Sequence, residues 1–173
     1  SLFNSLNKID LNLYDSLAVG PGIGIDNKDW EKSKDLLMNF EGLLILDADA
    51  LNRISESKFG SRFFLERKFK TWITPHSKEF LRLFPYIESD TYVGLALKAA
   101  KEFNISILLK GANSVIADNK KAWQLYGTDS QTARAGLGDL LSGFIAGSSA
   151  MDLTFNRNIT TEFFAKYVLL HSF

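Results

Sequence analysis

Gly136, Leu137, Gly138 and Asp139 stand directly before a run of small and apolar residues at helical spacing, Leu140 to Gly147. The first turn of a helix offers unpaired N–H groups and about half a positive charge. Gly136, Leu137 and Gly138 are therefore read as an anion hole ahead of the helix, a seat for a phosphate in transfer. Asp139 falls within the first turn. There its carboxylate can take the proton from a substrate hydroxyl while the amides hold the incoming phosphoryl group. An aspartate in a first turn also stabilises the helix on dipole grounds alone. Ser142, Gly143, Ala146 and Gly147 continue the segment as small residues that permit close packing against a nucleotide or a neighbouring helix.

Four other polar motifs follow apolar runs. Gly20 to Gly24, "GPGIG", carries three glycines in five residues. Such a loop lets main chain approach an anion closely, or simply turns a strand into a helix. Its spacing departs from the G-x-G-x-x-G dinucleotide fingerprint. "LDADALN" sets Asp47 and Asp49 two apart at the end of an apolar run, so both can face one side. Asp49 is expected to cap a helix starting at Ala50; Asp47 is open between a cation, a ribose and a structural duty. "ITPHSKEF" places Pro75 at the first position of a helix, with His76 beside it at the crevice rather than in the core. "LLKGANS" ends a buried run with Lys110, which can reach a phosphate beside main-chain donors from Gly111 to Ser114, or can be a solvated lysine on a hairpin.

The elements that must position these groups follow from hydrophobic patterning. "SLAVG", "GLLILDAD", "KTWIT", "ISILLKG", "SVIAD" and "KAWQLYG" read as strands, with a tight reversal at Ala112-Asn113. Between and after them, "NKDWEKSKDLLMNF", "ALNRI", "SRFFLERKF", "SKEFLRLF", "YVGLALKAAKEF", "LLSGFIAGSSAM" and "TEFFAKYVLLHSF" read as helices. Strands without polar alternation, separated by helices, indicate an α/β fold whose mostly parallel sheet is covered on both faces. In such a sheet the ligand crevice lies beyond the carboxyl ends of the strands. The motifs above all fall there. The 173 residues, 46% hydrophobic, suit one domain spanning 1–173. Twenty basic side chains balance twenty acidic ones, which argues against a nucleic-acid or anionic-membrane surface. With no cysteine, disulfides and thiolate metal sites are excluded. No apolar run approaches the roughly 18 residues of a membrane span, and the start lacks the pattern of a secretory signal. A cytoplasmic enzyme is expected.

Taken in order, "VGPGIG", "LDADALN", "TPHSKEF", "LLKGANSVIAD" and "AGLGDLLSGFIAG" resemble the ADP/ATP-dependent NAD(P)H-hydrate dehydratases of the ribokinase-like superfamily. The resemblance implies a three-layer α/β/α sandwich, incomplete at its N-terminal side, in a segment of a longer chain. It implies repair of hydrated NAD(P)H: the C6 hydroxyl is phosphorylated by ADP or ATP, phosphate leaves, and the double bond returns. The alternatives are a vitamin-precursor or sugar kinase of the same superfamily and a catalytically incomplete nucleotide-binding module. By position, Gly24, His76 and Asp139 are expected to contact the hydrated dinucleotide, with Asp139 the base. Lys110, Gly111, Ala112, Asn113, Ser114 and Gly138 are expected on the adenine nucleotide. Magnesium is the expected phosphate counter-ion, without a dedicated ligand residue. An NAD(P)HX epimerase domain in the parent chain and a homo-oligomer are further implications. Leu137 and Arg134 replace smaller family residues, "PHSKE" replaces Pro-His-Pro-Gly-Glu, and Asn113 replaces a glycine. Arg134 is either an extra phosphate contact or an obstruction.

Overall fold

Leu43, Leu44, Ile45 and Leu46 are all buried, and a strand with no wet face must be covered on both sides. The computed structural model describes residues 1–24, 26–126, 136–156 and 158–171. Among these, six strands form one sheet in chain order: β1 (Ser16–Val19), β2 (Leu43–Leu46), β3 (Thr71–Ile73), β4 (Ser106–Leu109), β5 (Val115–Ala117) and β6 (Ala122–Gln124). The first four run parallel; β4–β5 and β5–β6 are antiparallel hairpins. The expected reversal at Ala112-Asn113 lies in the β4–β5 connection, where Leu109 pairs with Val115.

The parallel strands are joined through α2 (Asn27–Asn39), then α3 (Ala48–Glu56) with α4 (Arg62–Glu66), then α5 (Ser77–Leu83) with α6 (Tyr92–Phe103). A short α1 (Leu2–Leu6) precedes β1 and is tied to α2 by the Leu2 and Phe3 amides, which donate to Asp29 at 2.7 and 3.2 Å. Successive crossovers stepping one way across a sheet, all right-handed, put their helices on one face. The core divides accordingly. Leu44, Leu46, Ile73, Ile107 and Leu109 pack with residues of α2 to α6, including the rings of Phe63, Phe64, Phe80, Phe84 and Phe103. Leu43, Ile45, Trp72, Leu108 and Ile116 point the other way. They pack against α7 (Leu137–Asn156) and α8 (Thr161–His171), with Trp72 stacked on Phe164 at 4.5 Å. The result is the expected three-layer α/β/α sandwich.

Helix α7 starts beside the strand ends and runs back down the sheet, since Ser16, the first residue of β1, donates from Oγ to the Ala146 carbonyl at 2.7 Å. Its free amides therefore face the same rim as the carboxyl ends of the parallel strands.

Candidate active site

Side chains alternate between the two faces along a strand. Leu46, Ile73 and Leu109 face α2 to α6. The next residue of each, Asp47, Thr74 and Lys110, therefore turns toward α7. Asp47 is 2% exposed. Its Oδ1 accepts from Lys110 Nζ at 2.8 Å, and its Oδ2 accepts from Ser142 Oγ at 2.8 Å. The same Oδ1 accepts the Ala48 amide at 2.9 Å. A Cβ placed on Gly138 would lie 3.8 Å from Asp47 Oδ2 and 3.9 Å from Lys110 Nζ. One buried carboxylate thus gathers the end of β2, the end of β4 and the first turns of α7. A cation and the open amides of a helix 20 residues long meet at one point on the rim.

Several local expectations are corrected by this geometry. Asp47, in extended conformation, caps α3, and the helix starts at Ala48 rather than Ala50. Asp49 lies inside the first turn, where its Oδ2 accepts the Gly24 amide at 3.0 Å. Ala48 has φ of +46°, a left-handed conformation without glycine's freedom, held between the capping carboxylate and the helix. Gly20 lies so close that an added Cβ would sit 1.8 Å from the Asp47 carbonyl oxygen, which explains one glycine of "GPGIG" as a close approach. Pro75 is not the first helical residue. Its carbonyl accepts from the Lys110 amide at 2.8 Å, extending the sheet, and α5 begins after His76.

His76 caps α5 with its side chain: Nδ1 accepts the amides of Lys78 and Glu79 at 3.1 and 3.3 Å. In return, Oε2 of the buried Glu79 accepts from the His76 amide at 2.9 Å, and its Oε1 lies 3.4 Å from His76 Nε2. An imidazole that accepts at Nδ1 carries its proton at Nε2, so the capping box fixes one tautomer. The ring is half exposed and stands next to the Lys110 loop, since His76 and Lys110 bridge in parallel.

Gly111, Ala112 and Asn113 form the exposed turn after β4, with Ser114 at its close. Gly111 N donates to Ser114 Oγ at 3.3 Å, which donates to the Gly111 carbonyl at 3.1 Å. Tyr92 Oη donates to the Lys110 carbonyl at 3.2 Å and fixes the start of the turn. Gly136 precedes α7 with φ of +90°, and its carbonyl takes the first helical bond, from Leu140 N at 3.1 Å. Leu137 and Gly138 are thus inside the first turn, not ahead of it. Asp139 follows as the third residue of α7, with its side chain exposed. Arg134 lies outside the described residues.

The structure unites Lys110 and Gly138 and sets His76 beside them. Gly24 is tied instead to Asp49, in the first turn of α3. Sequence reasoning missed Ser142 as a polar partner and left Asp47 open; the parity of the strand-end residues was the usable signal. Gly143 and Gly147, read as packing residues, have nothing within 4 Å of an added Cβ and face outward. Among the described residues, no group of three or more histidine or carboxylate side chains could cage a metal ion.

The chain as a whole is similar to known proteins. A family model described as NAD(P)H-hydrate dehydratase matches residues 3–167. The bifunctional NAD(P)H-hydrate repair enzyme of Synechocystis is 34% identical over 152 residues, covering 87% of this chain and 28% of that protein. A ribokinase-like superfamily protein from Enterococcus faecalis superposes with a TM-score of 0.74 and 26% identity, over 99% of this chain and 56% of its own. An ADP/ATP-dependent NAD(P)H-hydrate dehydratase from Bacillus subtilis, crystallised with ATP and Mg2+, gives a TM-score of 0.69 and 25% identity over 86% of this chain and 52% of its own. The chain therefore spans 28% of the length of that curated relative.

Proposed function

Because the chain belongs to the NAD(P)H-hydrate dehydratase family, we propose that it is the nucleotide-dependent dehydratase part of a longer repair protein, returning hydrated NAD(P)H to NAD(P)H. One observation carries this reading: the Lys110 ammonium is held by Asp47 at 2.8 Å beside Gly138, at the amino end of α7. A fixed cation and converging amides suit an anion whose charge grows during transfer. The Bacillus subtilis relative, crystallised with ATP and Mg2+, supports an adenine nucleotide as phosphoryl donor.

In this reading the hydrated nicotinamide enters past Gly24 and His76, and the nucleotide lies along Lys110 to Ser114 with Gly138. Asp139 removes the proton from the C6 hydroxyl. That oxygen attacks the terminal phosphorus, and ADP departs as AMP, or ATP as ADP. The amides of Leu137 and Gly138 and the Lys110 ammonium take up charge on the phosphoryl oxygens. Phosphate then leaves from C6 as a proton leaves C5, and the ring double bond is restored. Hydroxide is a poor leaving group and phosphate a good one, which is what the phosphorylation achieves. Magnesium fits as a partner of the nucleotide phosphates rather than of a protein cage, and it would neutralise phosphate charge there.

The same reading takes residues 1–173 as one ribokinase-like domain of a cytoplasmic homo-oligomer, with an NAD(P)HX epimerase domain in the parent chain. The bifunctional relatives support the last point. The direct test is recovery of nicotinamide absorbance from hydrated NADH on addition of ADP or ATP with magnesium. Asp139→Asn is expected to slow that recovery by about 10²- to 10⁴-fold, the usual contribution of a general base. A stable phosphorylated product with no regained absorbance would make the protein a kinase instead. Unchanged turnover in the variant would remove Asp139 as the base.

A further inference from the structure

Asp47 is the least explained group on the rim. A carboxylate taken out of water is costly, and pairing it with one ammonium recovers that cost only when the geometry is good. Its burial is therefore weak evidence of a stabilising role. What the arrangement does supply is direction. Lys110 sits on β4 and Asp47 on β2, with β3 between them. The ammonium is drawn across Thr74, which is fully buried and whose Oγ1 has no hydrogen-bond partner among the described residues. A lysine side chain has large rotamer freedom, so without such a partner its head would sample the rim rather than one point.

We infer that Asp47 is a positioning residue for nucleotide binding: its Oδ1 aims the Lys110 ammonium at the amino end of α7, and its Oδ2 holds that end in place through Ser142. The inference rests on the dehydratase reading for the identity of the ligand. The two oxygens divide the work between two elements, at 2.8 Å each. The main chain is shaped to present them. Ala48 is left-handed immediately after Asp47, and Gly20 makes room for the Asp47 carbonyl. Unfavourable backbone of this kind persists where the surroundings fix it, and it collects at sites of function. Asp47 itself touches no substrate in this scheme. It acts through Lys110, whose side chain is 28% exposed and so keeps a side within reach of a ligand.

The test is ADP affinity, measured by equilibrium titration on the whole chain. Asp47→Asn keeps one oxygen for the Ala48 amide and Lys110, sets an NH2 against Ser142 Oγ, which can accept from it, and removes the negative charge that faces the ammonium. It is expected to weaken ADP binding at least tenfold. Lys110→Gln should do the same, and the double variant should bind ADP no more weakly than Lys110→Gln alone. A purely structural Asp47 would not produce that coupling. An Asp47→Asn protein that binds ADP within twofold of wild type, or a double variant with losses that multiply, overturns the inference while leaving the dehydratase reading intact. If Asp47→Asn does not fold, ¹⁵N-lysine NMR of the unaltered chain decides. The Lys110 ammonium, identified by its loss in Lys110→Gln, should exchange its protons more slowly than surface lysines and shift on ADP addition. A fast-exchanging signal that ADP does not move overturns it. Wild-type protein that fails to bind ADP at all overturns the nucleotide reading, and this inference with it.

Discussion

Arg67 shows what a buried charge looks like when it serves the fold alone. It is 5% exposed, and its hydrogen bonds among the described residues go to neutral oxygens. Nε donates to Thr71 Oγ1 at 3.0 Å; Nη1 donates to the Leu37 and Met38 carbonyls at 2.6 and 3.2 Å; Nη2 donates to the Gly42 carbonyl at 2.8 Å. Burial pushes its guanidinium down to about 10. These carbonyls belong to the end of α2 and the approach to β2, the opposite rim from Lys110. Arg67→Met would take this donor from the buried Leu37 carbonyl and from the partly buried Met38 and Gly42 carbonyls, so a loss of about 3 kcal/mol is expected. Urea unfolding measures it. The ADP affinity of the remaining folded molecules should be unchanged, because nothing between Arg67 and the nucleotide rim moves. The two buried charges thus differ in what faces them: neutral oxygens around Arg67, and around Asp47 a cation with a second side open to ligand.

Among elements, the contact between α7 and α8 carries a pH signature. Tyr167 is 2% exposed and donates from Oη to Asp152 Oδ2. Burial and the neighbouring carboxylate push its hydroxyl above its ordinary value. The unfolded chain therefore loses this proton at lower pH than the folded one. Folding stability is fully present below about pH 10 and falls as pH rises beyond it. Replacing Tyr167 with Phe should flatten that alkaline decline, as seen in the pH dependence of urea midpoints. Strand and helix order was legible because each apolar run carries its own period; Tyr92–Phe103 begins and ends where the pattern does. Helix starts were less legible. Asp47 and Asp49 are both good caps by composition, and Gly24 decided between them by taking Asp49 from 25 residues away in sequence. Nor does any local pattern say that the Ser142 hydroxyl, one of several small groups on α7, meets a carboxylate on β2. The rim was legible as a place; its internal bonds join residues as much as 95 apart.

Across the whole molecule, α7 is buried on one side only. Ile145 is fully buried, whereas Leu140, Phe144, Met151 and Phe155 are 64, 40, 68 and 81% exposed. Gly143 and Gly147 lie open among them. Among the described residues, no helix is long and apolar enough to cross a membrane. If the sheet alone fixes α7, the two faces must respond differently. Met151→Gln with Phe155→Gln keeps good helix formers and removes apolar area that is already wet. The pair should alter the unfolding free energy of the 173-residue chain by no more than about 0.5 kcal/mol. Ile145→Ala on the inner face should cost about 2 to 5 kcal/mol, as a core truncation does. Comparing urea unfolding of the two variants measures both effects at once. Equal losses would mean that α7 is seated by its outer face, and would detach the amides of Leu137 and Gly138 from the strand ends that give them their anion.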